Sequence, residues 1–197
     1  MARIPISTSF ARGFAATAAA FVLAACTTLP PQTGPQREAR DAVQQFELEG
    51  RVSAHDARQS VQASILWLHD TGSDELTLTG PLGQTLAQLT RRGTQARLDA
   101  GGQVRETTDM DALLRDALGL SVPVAALSHW VLGRPRTPAA NVRRDAGGRA
   151  EIITEDGWNV FFVRYESAAP DALPELIEAQ GGEVQVKLKI DRWTLQP

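Results

Sequence analysis

The sequence predicts a mainly β domain of the α+β class, in which one antiparallel sheet curls over a helical insert. Three observations predict it. Short segments of apolar–polar alternation recur from Phe46 to Glu106, separated by hairpin-length gaps around Gly72, Gly93 and Gly101-Gly102. At Asp109 the apolar period changes to that of a helix. After Pro135 the strand-like pattern returns and runs to Leu195. Strands, then two amphipathic helices, then strands bury both sets of apolar faces if the helices lie on one side of a single sheet.

Each element has its own signal. Arg37 to Gln45 reads as a short helix with Ala39, Ala42 and Val43 on one side. Phe46, Leu48, Gly50, Val52 and Ala54 then face one way and Glu47, Glu49, Arg51 and Ser53 the other, which predicts a half-buried strand. Val61, Ala63, Ile65 and Trp67 repeat the period, with Leu66 and Leu68 on the opposite face, so this strand is expected to be covered on both sides. Leu76 to Leu78, Leu86 to Leu89, Ala96 to Leu98 and Gln103 to Glu106 continue an antiparallel meander. Met110, Leu113, Leu114, Ala117 and Leu118 lie at helical spacing between an N-cap at Asp109 and a stop at Gly119. Pro123 opens a second helix carrying Val124, Leu127, Val131 and Leu132, ending at Gly133 and Pro135. Asn141 to Arg149 shows no pattern. Ala150 to Thr154 and Trp158 to Tyr165 are strands joined by a turn at Glu155-Asp156-Gly157. Leu173 to Ala179 is ambiguous, Pro174 being compatible with an edge strand. Glu183 to Leu195 closes the chain as a long strand whose alternation becomes irregular at Trp193.

The N-terminus carries a different kind of signal. Arg3 and Arg12 precede an apolar stretch, Gly13 to Ala25, that is too short and alanine-rich for a good membrane span. It ends in Leu23-Ala24-Ala25-Cys26, and Cys26 is the only cysteine of the chain. This predicts a lipoprotein signal peptide over residues 1–25, with the Cys26 thiolate accepting a diacylglyceryl group and its freed amine an acyl chain. Residues 26–36, rich in proline, form the lipidated N-terminus and a flexible tether. The folded domain then spans 37–197. Removal of the leader takes away two positive charges, so formal charge moves from −3 to −5. An acidic domain is a poor partner for nucleic acid. Arg91-Arg92 and Arg143-Arg144 are expected to be solvated turn flanks. No internal disulfide can form, so the core alone must hold the domain.

Catalytic and metal chemistry find little footing. His55, His69 and His129 show no ligand spacing, and no serine has a nucleophile-elbow setting. No cofactor is implied apart from the acyl groups on Cys26. Trp67, Trp130, Trp158 and Trp193 lie on different elements with apolar neighbours. They either pack in a core, each indole N–H satisfied, or line an apolar cavity. Pro81-Leu82-Gly83 places a leucine between two turn-formers, and the residues alone favour Leu82 folding back onto the core.

Taken in order, Gly50-Arg51-Val52, Trp67, Gly80-Pro81-Leu82-Gly83-Gln84, Leu118-Gly119, Pro123-Val124, the run from Leu127 through Trp130 to Gly133 and Pro135, Asp156-Gly157-Trp158, Tyr165, and Lys187 to Ile190 with Trp193 resemble the LolB family, behind a lipobox. The resemblance covers nearly all of the mature domain. It implies an unclosed antiparallel β-barrel with an α-helical lid over an apolar cavity. It implies a monomeric receptor that accepts lipoprotein cargo from the periplasmic carrier LolA and inserts it into the outer membrane, to which Thr27 after Cys26, in place of Asp, would send it. It makes Pro81, Leu82 and Gly83 a membrane-insertion loop, reversing the residue-level reading of Leu82. It makes Trp67, Leu113, Leu114, Leu118, Leu127, Trp130, Val131, Trp158 and Trp193 candidates for cavity and lid. The rival reading is a non-transporting envelope lipoprotein that binds a protein or glycan through its sheet. An enzyme of lipid metabolism is disfavoured, because no nucleophile and base are placed together.

Overall fold

The computed structural model describes residues 40–118 and 122–195, apart from the side chains of 114 and 116–118. Cys26, the leader and the tether lie outside the described residues, as does Gly119. A 3-10 turn (Arg40–Ala42) leads into β1 (Phe46–His55), β2 (Ser60–Asp70), β3 (Ser73–Thr79), β4 (Thr85–Arg92), β5 (Gln95–Ala100) and β6 (Gln103–Thr107). Two helices follow, α1 (Met110–Leu118) and α2 (Val124–Trp130). The chain finishes with β7 (Asn141–Arg144), β8 (Ala150–Glu155), β9 (Trp158–Tyr165), β10 (Pro174–Gly181) and β11 (Val184–Leu195).

The eleven strands form one sheet in the order β6-β5-β4-β3-β2-β1-β11-β10-β9-β8-β7. Neighbours pair antiparallel throughout. The sheet is unclosed: β6 and β7 are its two edges. The segment joining them carries both helices, so it must pass from one edge to the other. It does so over the apolar face, where Leu113, Val124, Ala126 and Trp130 join Leu48, Ile65, Leu89, Ile153 and Val160 in one cluster.

Strand register builds that face in rows. Trp193, Leu48, Trp67, Leu76, Leu89 and Leu98 stand opposite one another across β11, β1, β2, β3, β4 and β5. Five of the six are at most 7% exposed. The irregularity at Trp193 has a local cause. Glu49 pairs with Arg192 but Gly50 pairs with Ile190, so Asp191 is an extra residue in β11. This bulge changes the parity of the strand and returns Trp193 to the apolar side. Gly50 sits at the close approach: a Cβ there would lie 2.3 Å from the Lys189 carbonyl oxygen.

The helices begin as expected. The Asp109 side chain accepts a hydrogen bond from the Ala112 N–H at 2.9 Å. Asp111 accepts one from the Val124 N–H at 2.9 Å, tying the start of α2 to the start of α1. Pro123 occupies the N-cap position of α2. Val131 caps its C-terminus, so Val131 and Leu132 belong to the exit and not to the helix.

Five expectations change. Of the helix expected over Arg37 to Gln45, the described residues 40–45 hold only the 3-10 turn, with Ala42 exposed and Val43 fully buried, and Ala39 lies outside the described residues. Val43, not a repeating apolar face, supplies the segment's buried apolar side chain. Leu66 and Leu68 are 37% and 40% exposed, because the helices cover only one face of β2. Asn141 to Arg144 is a strand, and Arg143 lies in it opposite Ile152, paired to Glu151 at 2.9 Å. An edge strand with only Val142 half-buried needs no alternation, which hid it. The segment from Pro174 is an interior strand between β9 and β11. Pro174 is its first residue, and register shifts up to Ile177 accommodate the missing N–H. Arg91 is not a solvated flank; its side chain is 20% exposed.

Candidate functional site

The β3–β4 hairpin closes through a tight loop, Gly80 to Gln84. The Gly80 carbonyl accepts the Gly83 N–H at 3.0 Å, and the Gly80 N–H donates to the Gln84 carbonyl at 2.8 Å. Pro81 pre-sets the turn and Gly83 takes φ +83°, where a side chain would be strained. These backbone constraints aim Leu82 away from the sheet, and it is 92% exposed. Leu82 does not fold back: a turn this tight has no freedom to reverse its tip.

On the apolar face, Trp67, Leu113, Trp130, Val131 and Trp158 are all at most 8% exposed and belong to the single core cluster. Leu127 and Trp193 are half-buried against it. Leu114 and Leu118 lie on α1, and their side chains are outside the described set. The Trp130 and Trp158 rings are 6.0 Å apart. The helix side chains of Leu113, Val124, Ala126 and Trp130 pack in the core cluster directly against the side chains of the sheet.

Three indole N–H groups have defined acceptors. Trp193 donates to the Pro174 carbonyl at 2.9 Å. The other two donate to buried carboxylates that the residue pattern did not single out. Trp130 Nε1 donates to Glu155 Oε2 at 2.8 Å. The same carboxylate accepts the Arg136 N–H at 3.0 Å, the Thr137 N–H at 2.6 Å and the Thr137 hydroxyl at 2.7 Å. Glu155 therefore fastens the exit of α2 to the end of β8. Burial pushes its carboxyl up, but these donors prevail and hold it below the usual 4.5.

Trp67 Nε1 donates to Asp74 Oδ1 at 2.9 Å, and His69 Nδ1 lies 2.6 Å from the same oxygen. Arg91 Nε donates to Asp74 Oδ2 at 2.6 Å. His69, Asp74 and Arg91 stand in register on β2, β3 and β4, the next row after Trp67. Phe46 stacks on His69 at 4.8 Å. Burial raises the Asp74 carboxyl, yet the hydrogen bonds from His69, Trp67 and Arg91 outweigh it and keep it below 3.8. His69, Asp74 and Arg91 border an open cleft of about 370 Å³ at the end of β3 away from Leu82. A signal for both carboxylates exists in the sequence. Asp74 shares the inward parity of Leu76 and Leu78, and Glu155 that of Ile153. A charge at an inward position requires partners.

His129, on α2, is held below 6.5 by burial and by the nearby Arg134 charge, so its imidazole is neutral at pH 7. Arg134 donates to the Asp41 and Val43 carbonyls at 2.8 and 3.0 Å, a second tie between the exit of α2 and the start of the sheet. No helix among the described residues is long and apolar enough to cross a membrane.

The family model described as "Outer membrane lipoprotein LolB" matches residues 44–193. A protein of Azoarcus sp. (strain BH72) named outer-membrane lipoprotein LolB is 37% identical over 182 residues, covering 91% of this chain and 93% of that one. A protein of the same name from Thiobacillus denitrificans is 35% identical over 184 residues, covering 90% and 95%. Among solved structures, a LolA superfamily protein from Nitrosomonas europaea superposes with a TM-score of 0.51 at 9% identity, over 81% of this chain and 90% of that one, a likeness of fold. The family match over residues 44–193, which span the unclosed antiparallel sheet and its two helices almost entirely, places this chain in the LolB family of outer-membrane lipoproteins.

Proposed function

We propose that this protein is a lipid-anchored receptor on the periplasmic face of the outer membrane, acting as a monomer and without catalysis. It takes acylated lipoproteins from a LolA-type carrier and releases them into the membrane. The observation that carries the reading is the pairing of a lid-covered apolar face with Leu82, 92% exposed on a rigid turn. A palmitoyl-length chain in water carries an unfavourable free energy of about 12 kcal/mol, at ~0.8 per CH₂. Cargo with several chains needs a dry host to cross an aqueous gap.

The lid supplies the host and its reversibility together. In the empty protein, Leu113, Leu127 and Trp130 fill the space that acyl chains take when the lid yields. Acyl entry replaces one set of apolar contacts with another, so net affinity stays moderate and release into a bilayer runs downhill. The acyl groups on Cys26 hold the domain beside its target and raise its effective concentration there. Leu82 enters the acyl layer and lowers the barrier to unloading. Native mass spectrometry after mixing the protein with a lipoprotein-loaded carrier tests the reading. Transfer of the acylated lipoprotein to this chain is the expected result; cargo that stays wholly on the carrier overturns it.

A further inference from the structure

Beside the loop that carries Leu82, the outer face of the sheet holds a groove of about 360 Å³. Register defines its floor. Lys189, Arg51 and Ser64 stand in one row across β11, β1 and β2, and Lys187, Ser53 and Gln62 in the next. Pro81 closes one side. The lining thus contains three cationic side chains, two hydroxyls and an amide, and no carboxylate. Asp191 lies just outside it and is shared: Arg51 Nε reaches it at 3.2 Å and Lys189 Nζ at 2.6 Å. Lys187 pairs with Glu178 at 2.8 Å. Three cations facing two carboxylates leave one positive charge uncompensated. All three cationic side chains are 39–62% exposed, so their ion pairs are weak and exchange readily for a better anion.

We infer that this groove seats the phosphate of a phospholipid headgroup when Leu82 enters the membrane. The inference rests on the membrane-delivery reading of the loop and adds the ligand that meets it there. A leucine buried in the acyl layer brings the residue before it to headgroup depth, and that residue is Pro81, the wall of the groove. Guanidinium, ammonium and hydroxyl groups in two adjacent rows, with no carboxylate among the lining, match a phosphodiester, and their net charge favours an anionic lipid over a zwitterionic one.

The test uses the full lipidated chain reconstituted in phosphatidylcholine vesicles with or without phosphatidylglycerol. The readout is the rate at which a fluorescent diacylated peptide passes from protein to bilayer, with its uptake by the protein measured separately. Phosphatidylglycerol should accelerate delivery about fivefold. The double variant Arg51→Gln, Lys189→Gln should lose that acceleration while taking up the peptide as the parent does, and Lys189→Arg alone should retain it. Equal acceleration of parent and double variant, or none in the parent, overturns the groove assignment. Inorganic phosphate at matched ionic strength should leave the acceleration in place. If it abolishes the effect, the groove is a free-phosphate site and the headgroup assignment falls. A parent protein that takes up no peptide refutes the receptor reading instead, which separates the two failures.

Discussion

Leu82, in the β3–β4 loop, and Trp130, at the end of α2, are both large apolar side chains, yet the structure treats them in opposite ways. Leu82 is 92% exposed and is positioned by backbone hydrogen bonds within its own loop. Trp130 is 1% exposed and is positioned by a buried carboxylate from a distant strand, whose remaining acceptor capacity holds the following backbone. The contrast divides the labour of the molecule. The part that reaches out is rigid by geometry and contributes little to the fold. The part that covers the apolar face is fastened by polar bonds and by burial in the common core cluster.

Three substitutions sharpen the contrast. The largest effect on stability is expected from Trp130→Ala, about 3–5 kcal/mol in urea unfolding, because it removes a core side chain and a donor to Glu155. Glu155→Gln should cost about 1–3 kcal/mol at neutral pH, since an amide offers one acceptor oxygen where four donors converge. Its pH dependence identifies the cause. The Glu155 carboxyl lies below 4.5 when folded, so its contribution is fully present above that pH and is lost as pH falls through the folded value. The difference between parent and Glu155→Gln should therefore shrink in acid; a difference that stays constant to low pH would mean that the carboxylate charge is immaterial. Leu82→Glu should change stability by less than about 0.5 kcal/mol, yet abolish delivery of acylated cargo to vesicles. If Leu82→Glu unfolds the protein as Trp130→Ala does, or delivers cargo normally, the division between the two regions is wrong.

Much of this was legible in the chain. Alternation located β1, β2, β8, β9 and β11, and Asp109 marked the start of α1, because each signal is local: parity of side chains along a strand, or one cap bonding an N–H three residues on. Asn141 to Arg144 was invisible because an edge strand is specified by its neighbour and carries little pattern of its own. The two-sided cover expected for Leu66 and Leu68 failed because alternation reports the composition of a face and not what packs on it. Asp74, His69 and Arg91 looked like unrelated polar residues. Only register places them in one row, where each explains the burial of the others. Glu155 reads from the sequence as part of a hairpin turn, because the segment after α2 that surrounds its carboxylate lies 18 to 19 residues away in the chain.

The sequence by itself determined the antiparallel meander, the helical interruption, the turn at Leu82 and the family, since these follow from short-range periodicity, turn chemistry and an ordered set of residues. Tertiary structure alone decided that the sheet stays open with the helical segment spanning its edges and that two buried carboxylates hold two of the tryptophans. Those outcomes depend on which residues meet after the chain has folded back on itself, and such meetings join positions tens of residues apart whose pairing no local period encodes.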